Sequence, residues 1–408
     1  MKNRLLYFLA AALMLLTALA ASAQTDSLAY SVGGRVRDSR NGLPIQYVDV
    51  TTGGRRYSTV TNADGSFVLK SDTPIEQLTF SRLGYSSVSM PVSSANINVS
   101  LSPAAYRLDP AMVLSAEPRM LVNEAISRIP SNYPAKEELL QCFYRETMQK
   151  RQRYIYVSEA VAKLYKTPYS RSVYRDAAAL EKSRVLISSR KRDTLSVKFL
   201  GGPTQATDFD VVKNPYILLN REELFRYKLE MGTPEEIDGR MNYTVRLSPG
   251  TEVPYALYYG VLYIDMETYA FSRIELSMDM SDEAKATRDM LVRKPAGLRF
   301  HPREMTVTID YRKDGDVWRL GFFRSLLDFS CDWRKRLLHT SYTSVNELVV
   351  TGLNPNPAPI PRQAQFRSHE ALSEKAELFT DPDFWKDYNI IEPSVSLEHA
   401  VGRLLIKK

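Results

Sequence analysis

His301 and Glu304 stand three apart in "HPRE", the H-x-x-E spacing that can supply two ligands to a zinc ion. Such a centre also needs a third ligand, a general-base carboxylate and an open position for water. His339, His369 and His399 lie downstream, and none has a convincing partner in the sequence. A second set is Asn62, Asp64 and Gly65 in "TNADGSF", alternating oxygen donors and a glycine, like the middle of a calcium loop. An EF-hand loop would need an acidic first ligand and a twelfth-position glutamate, and Val60 and Ser71 occupy those places. Asp-Gly between strand-like residues is instead a hairpin signal, because glycine accepts positive φ without steric penalty. "SHEAL" is not H-E-x-x-H, since Ser373 stands where the second histidine would be. No G-x-S-x-G elbow or phosphate loop occurs. Glu146 and Glu159 sit in strand-like segments beside Arg145 and Lys163 and, if buried, read as a structural ion-pair network. The expectation is therefore no catalytic residue, no cofactor and no metal.

The elements that would position any site begin with an export signal. Lys2 and Arg4 precede the apolar run "LLYFLAAALMLLTALA", and Ala21 and Ala23 then offer signal-peptidase spacing, so cleavage is expected after Ala23. No cysteine follows that run, so a lipoprotein anchor is not indicated. Nothing later approaches the roughly 18 apolar residues of a membrane helix. The mature chain is expected to be exported, without a transmembrane segment, to the periplasm or the periplasmic face of the outer membrane. The full sequence of 408 residues allows two or three domains, and 25% charged with 44% hydrophobic residues is a globular balance. The net charge of +7 is spread along the chain, apart from "QKRQR" and "SSRKRD", and no nucleic-acid-binding motif accompanies it. Cys142 and Cys331 are the two cysteines. Export permits them to pair as a disulfide; two buried free thiols are the other reading.

From Tyr30 to Leu101 the chain alternates and turns at short intervals, without a helical stretch, which predicts a small antiparallel β-sandwich. "GGRVRDSRNGLPIQYVDVTTGGRRYSTVTNADGSFVLK", "LTFSRLGYSS" and "LSPAAYRLDPAMVLSA" resemble the carboxypeptidase regulatory-like domain, a transthyretin-like sandwich. The matching positions are Gly34, Asp38, Gly42-Leu43-Pro44, Thr61, Asp64-Gly65, Phe67 and Gly84-Tyr85. The resemblance covers about 80 residues and implies a folding and interaction module without an active site. Similar domains open the outer-membrane nutrient receptors of some bacteria, directly after the signal. In zinc carboxypeptidases the accessory domain follows the catalytic one, whereas here it comes first.

The remainder starts with a helix around Leu121, Val122, Ala125, Ile126 and Ile129, expected to stop before Pro130. After it the period becomes two. "YTVRL", "FSRIELSMDM" and "MTVTIDY" each carry one apolar and one polar face, the mark of antiparallel strands covered on one side. "DGD" (Asp314 to Asp316) predicts a turn, and a helical insert is expected near Ser281 to Val292. Phe329, Cys331 and Trp333 share a face, as do Leu140, Cys142 and Tyr144, so both cysteines are placed toward the same core. A helix followed by one long meander resembles the half-barrel of periplasmic lipoprotein carriers, in which a curved sheet offers an apolar face to acyl chains. The alternative is an ordinary sheet covered by its own helices.

The expected fold class is mainly β, a sandwich plus a larger antiparallel sheet domain with a few helices. The expected organisation is signal peptide 1–23, sandwich 28–103, linker 104–117, sheet domain 118–352, and a Pro-rich segment with a helical strap, 353–408. The expected function is a non-enzymatic envelope protein binding a partner protein, an apolar ligand or a lipid, and no nucleic acid. The alternatives are an assembly or accessory factor of an outer-membrane nutrient-uptake system, and a zinc carboxypeptidase-like hydrolase.

Overall fold

The structure, a computed structural model, describes residues 28–104, 117–190, 193, 202–291, 294–333, 339–354, 357–367, 370, 372, 377–378 and 384–405. The expected signal peptide, most of the expected linker and His369 lie outside these residues. The chain is mainly β, as the strand-period patterns require.

The N-terminal unit is a sandwich of two sheets. One has the order β4 (Ser66–Ser71), β1 (Tyr30–Asp38), β7 (Asn96–Leu101); the other has β3 (Ser58–Val60), β2 (Asp49–Thr52), β5 (Gln77–Ser81), β6 (Val88–Pro91). Alternating residues of both sheets, among them Val36, Val50, Phe67, Leu69, Phe80 and Leu101, are buried between them. Phe67 meets Phe80 edge-on at 5.5 Å between ring centroids, a favourable aromatic geometry. One pairing departs from the antiparallel expectation. β7 lies parallel to β1, because the chain has crossed to the other sheet and back before it reaches the free edge of β1.

The "NADG" segment is a turn. Gly65 has φ +70°, and its amide donates to the Asn62 carbonyl at 3.0 Å. The Asn62 side-chain oxygen accepts from the amides of Asp64 and Ser66, both at 2.9 Å, which consumes the atom that would have faced an ion. Asp64 Oδ2 accepts from the Val395 amide at 2.7 Å, at the start of α6 (Val395–Leu405). The oxygen donors that resemble a calcium loop therefore serve backbone amides.

The second unit is built on a twelve-stranded sheet with β12 (Glu235–Ile237) as a side branch on β13 (Arg240–Pro249). Its main order is β11 (Tyr227–Met231), β13, β14 (Tyr258–Asp265), β15 (Phe271–Met278), β16 (Leu298–Asp314), β17 (Val317–Trp333), β18 (Thr340–Asn354), β8 (Glu138–Lys150), β9 (Arg153–Lys166), β10 (Ala177–Ile187) and β19 (Glu377–Leu378). The expected single meander is in fact two runs, β8–β10 and β11–β18, joined where β18 pairs with β8. That pairing gives both strands neighbours on each side and removes two edges. All neighbours are antiparallel except β10 with β19.

The inner face of the sheet is apolar. Leu140, Tyr144, Leu164, Leu262, Ile274, Val307, Ile309, Phe323 and Leu348 are buried in one cluster with the helical residues Leu121, Val122 and Ala125. Those three sit on α1 (Pro118–Ser127), whose start is capped by the Glu117 carboxylate accepting from the Arg119 and Met120 amides. α1 ends at Ser127, before Pro130 as expected, and Pro130 opens the single turn α2 (Ile129–Asn132), where a missing N–H costs nothing. Leu218, Leu219 and Leu224 close the same face from the segment holding α3 (Thr204–Asp208) and α4 (Arg221–Leu224). The expected insert is α5 (Glu283–Met290), capped by Asp282.

Both cysteines point to this inner face, but not into one core. Cys142 belongs to the main cluster and Cys331 to a separate one with Phe300, Phe329 and Tyr342. Cys142 is level with Val350 on β18, whereas Cys331 is level with Thr340, ten positions away on that strand. At ~3.3 Å per residue this is roughly 33 Å, far beyond the ~7 Å limit for bridging Cα atoms. Both thiols are free and buried, so the pairing reading gives way to the free-thiol reading.

Candidate functional site

On the outer face the strand registers line up charges in a single row across ten strands. Glu230 opposes Arg246, then follow Val261, Glu275, Thr308, Arg324, Glu347, Arg145, Glu159 and Arg184. Opposite charges directly across antiparallel strands attract, which favours this register over a slipped one.

Half of the row is covered. Glu159 is buried between Arg145 and Arg184, each at 2.7 Å, and accepts from Trp385 Nε1 at 3.1 Å. Burial alone would raise its pKa, but the two guanidiniums hold it below the usual carboxylate range. Arg145 donates onward to the Ile391 carbonyl at 2.6 Å. The sandwich reaches the same half: Tyr47 donates to Glu347, Arg324 donates to the Tyr47 oxygen at 3.1 Å, and Arg312 pairs with Asp49 at 2.6 Å. Phe143, Val161, Phe322 and Val349 of the sheet, Val60 of the sandwich, and Phe384, Trp385, Ile390 and Ile391 of the C-terminal segment make one apolar seam there. Glu159 and Arg145 therefore form the structural network expected from their strand positions. Glu146 faces the inner side instead, accepting from Tyr144 at 3.1 Å, and Lys163 pairs with Glu181 at 3.0 Å.

The other half of the row is open. Over β11 and β13–β16 lies a groove of about 590 Å³ whose floor is Glu230, Arg246, Ser248, Tyr259, Val261, Glu275, Ser277, Thr306 and Thr308 with the strand backbone at Gly260. These are the outward positions of alternating strands, which is why hydroxyls, short aliphatics and a few charges line it. Arg246 is exposed and Tyr259 is 48% exposed. Glu275 is engaged by Arg273 at 2.7 Å, and Arg273 also holds Asp310 at 2.6 Å. A β-carbon on Gly260, at the inward position between Tyr259 and Val261, would run into the Glu275 carbonyl and the Leu276 side chain, so β14 and β15 approach closely under the groove. Volumes of this size suit a small organic ligand.

Among the described residues, a dense cluster of buried ionisable groups lies elsewhere, with no motif in the sequence to mark it. Under the inner face Asp210 accepts from Lys166 at 2.5 Å, Tyr169 at 2.8 Å and Tyr311 at 2.7 Å. Lys213 pairs with Asp176 at 2.5 Å, and Lys166 reaches Asp176 at 3.5 Å. Burial and the neighbouring Lys166 charge lower Lys213 to about 8, against the pull of Asp176. The four charged side chains are at most 4% exposed. Two lysines and two carboxylates neutralise one another in a sealed core, and the loop carrying Asp210 and Lys213 is thereby fixed to β9. Lys166, Asp176, Asp210 and Lys213 are scattered through the sequence without a motif, so no local signal could have found them.

His301 and Glu304 do not act together. Both lie on β16, with a register irregularity between Pro302 and Glu304, and Glu304 is exposed. The expectation that no other histidine partners His301 is corrected: its ring centroid is 5.1 Å from that of His339. The two lie at one end of the β16–β17–β18 strands beside Asp332. His399 lies on α6.

Residues 32–113 match the family model of the CarboxypepD_reg-like domain, which confirms the resemblance carried by the sandwich residues. No curated protein matches the chain. Solved structures similar to it include a LolA superfamily protein from Nitrosomonas europaea, 11% identical, over 60% of this chain and 96% of that one at a TM-score of 0.23. Another is a DUF1329 family protein from Desulfovibrio piger, 10% identical, over 60% of this chain and 96% of that one at a TM-score of 0.26. Among the described residues no helix is long and apolar enough to cross a membrane.

Proposed function

We propose that this chain is a non-enzymatic, exported envelope protein that binds an elongated amphipathic ligand in the groove over β11 and β13–β16. The carrying observation is the asymmetry of the sheet. Its apolar inner face is closed by the chain's own helices, so the ligand-bearing inner face expected of a carrier is already filled. The outer face is closed over one half and leaves a groove of about 590 Å³ on the other. Val261, Tyr259 and the aliphatic edges of the strands would take the apolar body of the ligand. Arg246 at the exposed side would take an acidic end, as in a fatty acid. The sandwich is an interaction module in this reading, fixed to the covered half through Tyr47, Asp49 and Val60. The reactive lysine and carboxylates are sealed, and the groove brings together no nucleophile with a base, which supports binding rather than catalysis.

The test is displacement of a fluorescent fatty acid from the purified chain, with native mass spectrometry for co-purified lipid. Thr308→Trp, which fills the groove from an outward strand position, is expected to weaken binding at least about tenfold while leaving the unfolding midpoint unchanged. Unaltered affinity in that variant, with wild-type binding present, would remove the groove as the site.

A further inference from the structure

We propose that His301, Asp332 and His339 form a zinc site at the outer-face end of β16, β17 and β18. Their donor atoms lie within 4.8 Å of one another. His339 Nδ1 is 3.3 Å and His301 Nε2 is 3.8 Å from Asp332 Oδ2. Ligands ~2.0–2.1 Å from a tetrahedral zinc ion are ~3.4 Å apart, so the His339–Asp332 pair already has the right span, and His301 closes on an ion by moving toward Asp332 and His339 from within 4.8 Å.

Three further observations point to an ion rather than a chance cluster. First, among the described residues His301 Nε2 and Asp332 Oδ1, the partner of the Oδ2 that faces the two imidazoles, are buried and have no hydrogen-bond partner. The Asp332 side chain is only 9% exposed, and an unsatisfied buried carboxylate oxygen is costly. Second, Glu283 Oε1 lies 2.8 Å from His301 Nδ1. A proton on Nδ1 donated to that carboxylate leaves the Nε2 lone pair facing Asp332 and His339. This is the carboxylate–histidine–metal arrangement that fixes the tautomer of a ligating imidazole. Third, the donor set is two imidazoles and one carboxylate, which suits zinc and not the all-oxygen preference of calcium or magnesium. Three protein ligands leave a fourth position for water or a further donor.

The pairing of strands explains how distant residues meet. β16 and β17 are antiparallel with Arg299 level with Asp332 and His301 level with Ser330, while Cys331 is level with Thr340, the neighbour of His339. The H-x-x-E spacing of His301 and Glu304 plays no part here; the partners come from across the sheet.

The experiment strips the full chain with chelator and titrates zinc chloride by calorimetry, with cobalt(II) absorption reporting tetrahedral coordination. One zinc per chain is expected. His339→Ala, at a side chain 58% exposed and so tolerated by the fold, is expected to abolish measurable binding, as is Asp332→Asn. Glu283→Gln is expected to weaken it by about 10–100-fold, the usual effect of losing the group that orients a ligand. Circular dichroism confirms that each variant is folded. Absence of zinc uptake by the wild type, or uptake unchanged in His339→Ala, overturns the proposal.

Discussion

The two halves of the sheet's outer face share one row of acids and bases, unbroken in the covered half and interrupted by Val261 and Thr308 in the open one, and they behave as different materials. In the covered half Glu159, Arg145 and Arg184 are nearly inaccessible, and each charge has a partner in the row as well as contacts from the C-terminal segment. In the open half Glu275 retains 35% exposure and Arg246 faces solvent. What distinguishes them is not the strands but what lies over them. Where Tyr47, Val60 and Trp385 exclude water, the charges become structural and the surface is used up. Where none of the described residues covers the row, its charges face solvent and a groove remains.

The largest expected difference follows from desolvation. Glu159→Gln leaves Arg145 and Arg184 buried beside a neutral amide, and breaking a buried pair in this way costs about 3–5 kcal/mol. Glu275→Gln in the open half removes a carboxylate that is 35% exposed and leaves Arg273, itself only 9% exposed, its bond to Asp310, so the loss is expected to be smaller, about 1–2 kcal/mol. Urea unfolding of the two variants, read by tryptophan fluorescence, checks both figures. Equal losses would mean that the covering layer does not desolvate the row, and the contrast would fail.

How much of this was legible in the sequence depends on the range of each signal. The sandwich could be read because its turns are local: Asp-Gly in a hairpin and Phe67 at an inward strand position announce themselves within ten residues. The helix before Pro130 and the one-sided strands were legible for the same reason, since period and capping are local. The row of charges was not, because each member lies on a different strand and only the register aligns them. Arg145 opposes both Glu159 and Glu347, and nothing near Arg145 in sequence marks the second. The β18–β8 pairing, which divides the expected meander in two, is likewise long-range. His301 shows the converse error. Its local spacing to Glu304 proposed a partner on the same strand, while the residues it meets are on α5, on β17 and just before β18.

A smaller effect tests how the sandwich sits on the covered half. Asp49 faces Arg312 across that interface, and burial raises its pKa to about 6; Arg312 opposes the rise and Asp238 adds to it. In the unfolded chain an aspartate titrates near ~3.9. The folded form therefore holds the proton more tightly. Its contribution is fully present below about pH 4 and is lost as the pH rises through 6. Because the Asp49 side chain keeps 22% of its exposure, solvent screening limits the effect to ~1–2 kcal/mol. Asp49→Asn imitates the protonated group, so it is expected to match the wild type at pH 4 and to exceed it by that amount at pH 7.5. Chemical unfolding at the two pH values checks the difference. A variant less stable than wild type at pH 7.5 would show that the Arg312 ion pair outweighs desolvation.

The smallest effect concerns the edge of the covering layer. Asp64, in the Asn-Ala-Asp-Gly turn, accepts from the Val395 amide at 2.7 Å, and Asn62 donates to the Pro393 carbonyl at 3.0 Å. α6 packs Leu397, Val401 and Leu404 against Val157 and Leu186 of the sheet, so its start is held by the sandwich and its body by β9 and β10. Asp64→Ala removes a carboxylate from a helix N-terminus and leaves one amide without its acceptor. The loss is about 0.5–1 kcal/mol. Because the apolar contacts of α6 are untouched, the loss should be local. Hydrogen exchange is expected to quicken in the first turn of α6 while the amides of β8 and β18 keep their protection. If exchange instead rose evenly across the covered half, the sandwich, the strap and the sheet would be one cooperative unit. The boundary between the two halves of the outer face would then be a property of the whole fold and not of its covering layer.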